Sequence, residues 1–456
     1  MAQPAFDRPD AAGLTRKIAE NSASLTFDRL PKDVVAIAKS CLIDWLGVTL
    51  AGADEDLSRI LQAEAKDEGG REQATVIGGA FMTSLTQAAL LNGSASHALD
   101  YDDVNLIMPG HPTVPVVPAI LALAERDDQG GRDFITAFIA GVEAECRIGA
   151  TMGESHYQKG WHTTGTVGTF GAVAAAAHML GLDVDQCVTA YGIAGTQAAG
   201  LKSNFGTMCK PLHAGKAAAN GLRAALLAKR GFSSNPEILE CVQGFGDTQT
   251  EQFQPDLALD GLGETFHARG ILFKYHAACY GTHASIEAAL ALREQHNLTP
   301  ERIEKIEVRV PESYLKMCNI LEPATGLEAK FSLRVTTAMA LAGENTGNTA
   351  NYNEQICRDD TVVALRDKTR VTPESKWEHA NSEVVVSTQD GLVLRQMKDV
   401  SVAEEDQERQ WLRLSAKFRD MADPVIGANK AEAVVEAVGR LDQRDSLRDI
   451  AALCRG

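Results

Sequence analysis

The sequence predicts a mainly α-helical protein, in which a large all-helical domain carries an inserted, smaller α+β domain. Apolar residues recur at helical spacing through the first half of the 456-residue chain and again near its end. β-branched residues in strand-like alternation are confined to a middle stretch, from about residue 302 to 400. Aromatic residues make up only 5% of the chain, and alanine and glycine are plentiful, which favours closely packed helices.

The helical part of the pattern runs from about residue 12 to 230 and resumes after residue 404. Each predicted helix there places apolar residues three and four positions apart, with polar residues between them. We expect helices over residues 32–51, 84–98, 116–124, 133–149, 166–180, 214–228 and 431–441.

The middle stretch has a different pattern. Residues 302–310 approximate strand alternation, and residues 384–396 read as a hairpin that turns at Asp390-Gly391. Helical segments are expected at 283–295 and 329–342. We therefore predict an all-helical domain, residues 1–268 completed by 401–456, and an α+β domain, residues 269–400.

Composition excludes several classes of protein. A net charge of −17 without a long basic run argues against binding to nucleic acid or an anionic membrane. Nine cysteines without a C-x-x-C spacing indicate reduced thiols in the cytoplasm. The polar N-terminus lacks a secretory signal pattern, and we see no apolar run near the about 20 residues that span a bilayer.

One candidate site segment runs from His97 to Asp103 and is followed by His111-Pro112. Its aspartates, Asp100, Asp102 and Asp103, fall within four positions and repel one another. We therefore expect at least one of them to bind a cation, a backbone amide or a proton. The alternative is an ordinary solvated helix end followed by a Pro-Gly loop.

Two further segments bring a histidine and a lysine to predicted helix starts. His162 lies in a glycine-flanked loop before a helix, where the helix dipole favours anions and lowers an imidazole's pKa. Lys210 precedes Pro211, a residue suited to a first helical turn, and can hold a carboxylate or stabilise developing negative charge. His213 either joins this site or merely caps and packs, and Lys216 is expected to be solvated.

A fourth segment, residues 274–283, lies at the predicted domain junction, where ligand sites are common. It contains Cys279 and His283. The chain has no H-x-x-x-H or H-E-x-x-H spacing, so we expect no catalytic metal.

Taken together, these segments resemble the MmgE/PrpD family, which includes 2-methylcitrate dehydratase, cis-aconitate decarboxylase and iminodisuccinate epimerase. The matching stretches are residues 92–103, 111–112, 160–171, 206–215 and 274–283. The resemblance implies a helical domain with an α+β lid, a homodimer, and no metal or organic cofactor. It also implies that Asp100, His111, His162 and Lys210 are active-site residues.

Two positions depart from the family pattern. Cys279 stands where the decarboxylase has a histidine, although His283 is kept. Arg334-Val335 stands where the dehydratase and decarboxylase have a Gln-Tyr pair. The lost tyrosine removes a proton donor, and Arg334 adds a residue that can bind a carboxylate through two hydrogen bonds.

The resemblance therefore predicts an enzyme that takes a proton from carbon next to a carboxylate of a small di- or tricarboxylate. The missing tyrosine favours an epimerase of the iminodisuccinate type. A 2-methylcitrate-type dehydratase and a cis-aconitate-type decarboxylase are the alternatives, and a metallohydrolase or a non-enzymatic binding protein is more remote. The residues expected to bind substrate are His97, Cys279, His283 and Arg334.

Overall fold

The computed structural model describes residues 13–377 and 380–456, and most of them lie in helices, as predicted. The polar N-terminal decapeptide lies outside the described residues. The chain divides into two compact units. The first comprises Met1–Ile271 with Glu405–Gly456, and the second comprises Leu272–Glu404.

The first unit is built almost entirely from helices, numbered here along the chain. They are α1 (Leu14–Ser24), α2 (Lys32–Gly52), α3 (Asp56–Glu68), α4 (Leu85–Ser96), α5 (Thr113–Asp127), α6 (Gly131–Gln158), α7 (Thr163–Met179), α8 (Val184–Gly195), α9 (Cys209–Ala228), α10 (Phe245–Gln249), α16 (Gln407–Ile426), α17 (Ala428–Gly439) and α18 (Arg448–Leu453). Short strands accompany them: β1 (Ala74–Thr75), β2 (Met82–Thr83), β3 (Val104–Asn105) and β4 (Ile271–Leu272), where the chain leaves the unit.

Helix α2 corrects one expectation. Its 21 residues are apolar enough, and the helix long enough, to cross a membrane by length and composition alone. The apolar run that the sequence analysis did not see is therefore present. Most of its side chains, Trp45 and Leu46 among them, are buried, and it packs against α16 and α4. Such burial is typical of a core helix.

Helices α4, α5, α7 and α9 pack against one another and form the part of the core that carries the candidate site. Helices α4 and α9 meet at two glycines. A Cβ added to Gly93 would lie 2.8 Å from the Cα of Gly215, closer than real Cβ atoms approach. The absence of both side chains therefore sets the spacing between the end of α4 and the start of α9.

The second unit contains a four-stranded sheet in the order β6-β5-β7-β8. The strands are β5 (Ile303–Pro311), β6 (Thr369–Glu374), β7 (Asn381–Thr388) and β8 (Val393–Asp399). Strand β5 is parallel to β6 and antiparallel to β7, and β7 and β8 form the predicted hairpin. The helices are α11 (His283–His296), α12 (Tyr314–Met317), α13 (Gly326–Ala329), α14 (Leu333–Ala342) and α15 (Asp360–Asp367).

Two features of this unit differ from the sequence analysis. The helix expected over 329–342 begins only at Leu333, because Ser332 is not helical and its hydroxyl caps α14 by accepting from the Val335 amide. Strand β6 was not anticipated. It contains Pro373, which a sheet tolerates here because β6 lies at the edge.

Candidate functional site

The loop between α4 and α5 carries three aspartates whose side chains have three different partners. Asp100 is half-exposed and has a φ of 52°, in the left-handed region that non-glycine residues rarely adopt. Its Oδ1 lies 2.9 Å from Nζ of Lys210. The expectation that one of these carboxylates takes a cation is confirmed.

Asp102 is buried between two histidines. His97 Nδ1 lies 2.9 Å from its Oδ2, and His111 Nδ1 lies 2.8 Å from the same oxygen. Burial alone would raise the pKa of Asp102, but His111 and His97 outweigh it and hold that pKa well below its usual value. Asp102 is therefore the anion that orients both rings.

His97 is buried, and burial lowers its pKa to about 4, so its ring is neutral at pH 7. Because Nδ1 donates to Asp102, Nε2 carries the lone pair. Within residues 13–377 and 380–456, no hydrogen-bond partner reaches this buried Nε2. His97 thus presents an acceptor that a protonated or hydroxylated ligand can satisfy.

Asp103 turns into the protein. It accepts hydrogen bonds from the backbone amide and the hydroxyl of Thr113, the first residue of α5. Burial raises the pKa of Asp103 to about 7, against the opposing effect of the Thr113 hydroxyl. Asp103 therefore closes the loop onto α5.

Several contacts fix this loop. Lys417 on α16 donates to the carbonyl of Tyr101 at 2.8 Å and pairs with the buried Asp44 of α2 at 2.6 Å. The backbone amide of His111 donates to Oγ1 of Thr164, in the first turn of α7, at 3.1 Å. The loop is thus tied to three helices, which orders the imidazoles before any ligand binds.

His162 is the N-cap residue of α7, as its position before a predicted helix suggested. Its backbone amide donates to the carbonyl of Gly200 at 2.9 Å. The ring is 3% exposed and stacks at a centroid distance of 5.8 Å on His97. Burial lowers the pKa of His162 far below its ordinary value, and the neighbouring His97, His111 and Lys210 lower it further. The ring is therefore neutral.

Lys210 is the second residue of α9 and lies in its first turn. Its Nζ stands over the ring of Phe205 at 5.3 Å, and the same ring meets His162 edge-on at a centroid distance of 4.9 Å. The N-terminal ends of α5, α7 and α9 carry His111, His162 and Lys210 at or beside them. Helix N-termini and a lysine favour an anion there.

The structure thus brings five predicted site residues into one cluster in the first unit: His97, Asp100, His111, His162 and Lys210. Sequence reasoning did not assign three others to the site. Asp102 lay in the same motif, but nothing in the sequence distinguished it from its neighbours. His213 was left between two interpretations, and its Nδ1 lies 3.0 Å from Nδ1 of His162. Phe205 was not considered, although it is the only aromatic residue in the loop before α9, and this was the one signal that could have drawn attention to it. Lys216 is exposed, as expected.

The other three predicted residues lie in the second unit. His283 is buried at the start of α11, and its Nε2 lies 3.1 Å from the carbonyl of Ala278. Cys279 is half-buried and hydrogen-bonds to Cys318; this bond and burial raise the pKa of Cys318. Arg334 is half-buried in the first turn of α14. Their role in substrate binding stays a prediction.

The cluster also bears on metals. Ligand atoms of His97, Asp100, Asp102 and His111 all lie within 4.8 Å of one another, so these groups can hold an ion. The argument from sequence spacing is therefore insufficient, because the fold assembles ligands that are distant in sequence. Lys210 already places a positive charge on Asp100. The expectation of no catalytic metal stays a prediction.

Comparisons with known proteins identify the family of the chain. The profile of the MmgE/PrpD N-terminal domain matches residues 16–258, and that of the C-terminal domain matches residues 276–443. Cis-aconitate decarboxylase from Mus musculus is 27% identical over 97% of this chain and 93% of its own length. The human enzyme is 28% identical over 97% and 95%. Cis-aconitate decarboxylase from Aspergillus terreus strain NIH 2624 is 27% identical over 99% and 97%. The chain belongs to the MmgE/PrpD family.

Proposed function

We propose that this protein is a lyase of the cis-aconitate decarboxylase type, which replaces one carboxylate of an unsaturated tricarboxylate by a proton. The names of its full-length relatives support this reaction over the epimerisation that the missing tyrosine favoured. The observation that carries the proposal is the cluster itself, in which one lysine and two histidines stand at three helix starts.

Substrate binding follows from the charges of the cluster. A tricarboxylate brings several negative charges, and Lys210 is the cation placed to meet one of them. Asp100 holds this ammonium at 2.9 Å in the free protein, and a substrate carboxylate takes over part of that contact. The starts of α5, α7 and α9 add positive potential in the same place. His97 Nε2 is a buried acceptor for a ligand hydroxyl or carboxyl proton.

Decarboxylation breaks the bond between a carbon and its carboxylate, CO2 leaves, and the electron pair remains on the carbon skeleton. In cis-aconitate that pair is conjugated through the double bond with a second carboxylate. A lysine at this carboxylate stabilises the charge that develops. A proton must then reach carbon, and His162 is the donor we assign, because its Nδ1 is already engaged by His213 and its Nε2 is left for the substrate.

His111 has a separate task. Its Nδ1 lies against Asp102, and its Nε2 lies 3.6 Å from Oδ1 of Asp100. It therefore links the buried carboxylate to the one that holds Lys210. We propose that His111 orients Asp100, and through it Lys210, towards the bound acid.

The test is turnover of cis-aconitate in deuterated water, followed by NMR. We expect loss of one carboxylate as CO2 and one deuterium on carbon in the product. The control is the His162→Gln variant, which we expect to bind the substrate and to release CO2 at a rate at least about 10²-fold lower. Wild-type protein that leaves cis-aconitate unchanged, but turns over another polycarboxylate, would overturn the proposal.

One observation keeps epimerisation as a second candidate. The second unit has Arg334-Val335 at the position where the resemblance to the family's dehydratase and decarboxylase implies a Gln-Tyr pair. The same experiment with other substrates distinguishes the alternatives. An epimerase incorporates deuterium into iminodisuccinate with optical inversion. A dehydratase forms a new alkene from 2-methylcitrate. The homodimer, the cytoplasmic location, the independence of metals and the lid role of residues 269–400 stay predictions.

A further inference from the structure

His162 and His213 contact each other through the same ring atom. Their Nδ1 atoms lie 3.0 Å apart. A hydrogen bond between two Nδ1 atoms needs one proton and one lone pair, so the two rings hold complementary tautomers. If His213 donates, His162 carries its proton on Nε2 and is an acid. If His162 donates, its Nε2 is bare and is a base.

The surroundings keep both rings neutral. Burial, together with His97, His111 and Lys210, lowers the pKa of His162, and burial lowers the pKa of His213. The two nearby carboxylates pair with other groups of the cluster: Asp102 contacts His97 and His111, and Asp100 contacts Lys210. An imidazolium at His162 is therefore costly, so a proton that leaves its Nε2 has to be replaced at Nδ1 in the same event.

The backbone holds the second ring in place. His213 stands in the second turn of α9, and its ring packs on Gly200, where an added Cβ would lie 3.2 Å from Cγ of His213. A Cβ added to Gly165, in the first turn of α7, would lie 3.1 Å from Cβ of His213. The same Gly200 accepts the backbone hydrogen bond of His162. Both imidazoles are thus fixed against one short stretch of chain.

The two rings differ in access to solvent. His162 is 3% exposed, whereas His213 is half-buried. The pair therefore connects a ring that is shielded from water with a ring that reaches it. Such a chain moves a proton without leaving a charge inside the site.

We propose that His213 is a positioning residue that sets the tautomer of His162 and relays protons to it from solvent. The inference deepens the proposed function and rests on it for the direction of transfer. In one turnover, Nε2–H of His162 gives its proton to carbon, and Nδ1–H of His213 passes to Nδ1 of His162. A solvent proton then binds Nε2 of His213. Both rings stay neutral, but the pair is left in the opposite tautomers. After product release a solvent proton binds Nε2 of His162, Nδ1–H returns to His213, and Nε2 of His213 gives its proton back to solvent. The starting tautomers are then restored, and the net uptake is the one proton added to the product.

The first experiment does not depend on turnover. NMR of ¹⁵N-labelled histidine reports the tautomer of each ring. We expect His162 in the wild type to be a single neutral tautomer with an engaged Nδ1. In His213→Ala this tautomer changes or becomes mixed, whereas in His213→Asn, whose amide occupies the place of Nδ1, it is retained. An identical His162 signal in all three proteins would overturn the proposal, whatever the protein catalyses.

The second experiment measures the relay. We expect kcat of His213→Ala to fall about 10²-fold with little change in KM, and added imidazole to restore activity in a saturable manner. His213→Asn keeps the orientation of His162 but cannot pass a proton, so its kcat also falls. A KM effect alone, or a loss that imidazole does not reverse in a protein with native circular dichroism, would contradict the relay.

The matched control is His178→Ala. His178 lies on the same helix α7, and its Nε2 hydrogen-bonds at 2.9 Å to the carbonyl of Leu25, away from the cluster. We expect this variant to keep the wild-type kcat and the wild-type His162 signal, and not to respond to imidazole. If no polycarboxylate is turned over by the wild type, the proposed function fails, and the NMR experiment still decides the pairing of the rings.

Discussion

His111 contacts two carboxylates, Asp102 and Asp100. Replacing Asp102 by asparagine tests whether Asp102 is the one that orients the imidazoles. Oδ2 of Asp102 accepts a hydrogen bond from Nδ1 of His97 at 2.9 Å and lies 2.8 Å from Nδ1 of His111. Nδ1 of His97 lies within 3.0 Å of both carboxylate oxygens, so in either orientation of an amide the NH2 group faces the Nδ1–H of His97. That imidazole must take the other tautomer or turn away. For a histidine in acid–base catalysis, the wrong tautomer costs about 10²–10⁴ in rate, or about 3–5.5 kcal/mol of barrier.

The assay is the initial rate of CO2 release from cis-aconitate, with circular dichroism to establish the fold. The neighbouring Asp103→Asn is the control. Its carboxyl is buried with a pKa of about 7, and an amide resembles the protonated form that this site already tolerates. We expect Asp103→Asn to keep the wild-type kcat. Equal losses in both variants, or an active Asp102→Asn, would refute the assignment of Asp102 as the orienting group.

Three further predictions use the same protein. Lys210→Gln should lower kcat/KM about 10²–10³-fold, because the loss of one electrostatic contact to the charge that develops in the transition state costs about 3–4 kcal/mol. Lys216→Gln on the exposed side of α9 should match the wild type, and a similar loss in both variants would contradict the role of Lys210. Burial raises the pKa of Asp103 and of Glu143 to about 7, so the folded state holds more protons than the unfolded state between about pH 4 and 7. The free energy of unfolding should therefore fall as pH rises through that window and level off above it, and Asp103→Asn should flatten the fall in denaturant titrations; parallel curves would exclude this origin. Dialysis against a chelator should leave activity intact, and elemental analysis should find no stoichiometric metal. If activity is lost and one divalent ion restores it, the cluster of His97 and its neighbours binds a metal.

Much of the site was predictable because its residues stand at helix ends. His162 and Lys210 were placed by the glycine and proline that precede or follow them, which are local signals. The exposure of Lys216 followed from helical spacing in the same way. Such inferences need only the residues within one or two turns.

The different roles of the three aspartates could not be predicted from the sequence. Asp100, Asp102 and Asp103 have the same chemistry, and their different partners come from α9, α4 and α5. Which carboxylate is buried depends on how these helices pack, and the sequence of the loop does not encode it by itself. The contact between His162 and His213 has the same origin, since 51 residues separate them.

Two missed elements and one insufficient argument had physical causes of another kind. The apolar run in α2 was missed because polar residues interrupt it, although its faces are all covered in the folded unit. The metal argument relied on ligands spaced within one helix, whereas His97 and His111 come from different ends of a loop. Strand β6 was passed over because Pro373 argues against a strand unless it lies at an edge.

The contact between Gly93 and Gly215 has a consequence for how this enzyme can change. Neither residue carries a functional group, yet a methyl group at either would be too close to the facing helix, and α4 and α9 would have to move apart. His97 follows α4 and Lys210 lies at the start of α9. Selection on the geometry of the cluster therefore also acts on a helix contact that carries no functional group. Efforts to redesign the protein should treat these two bare positions as part of the catalytic apparatus.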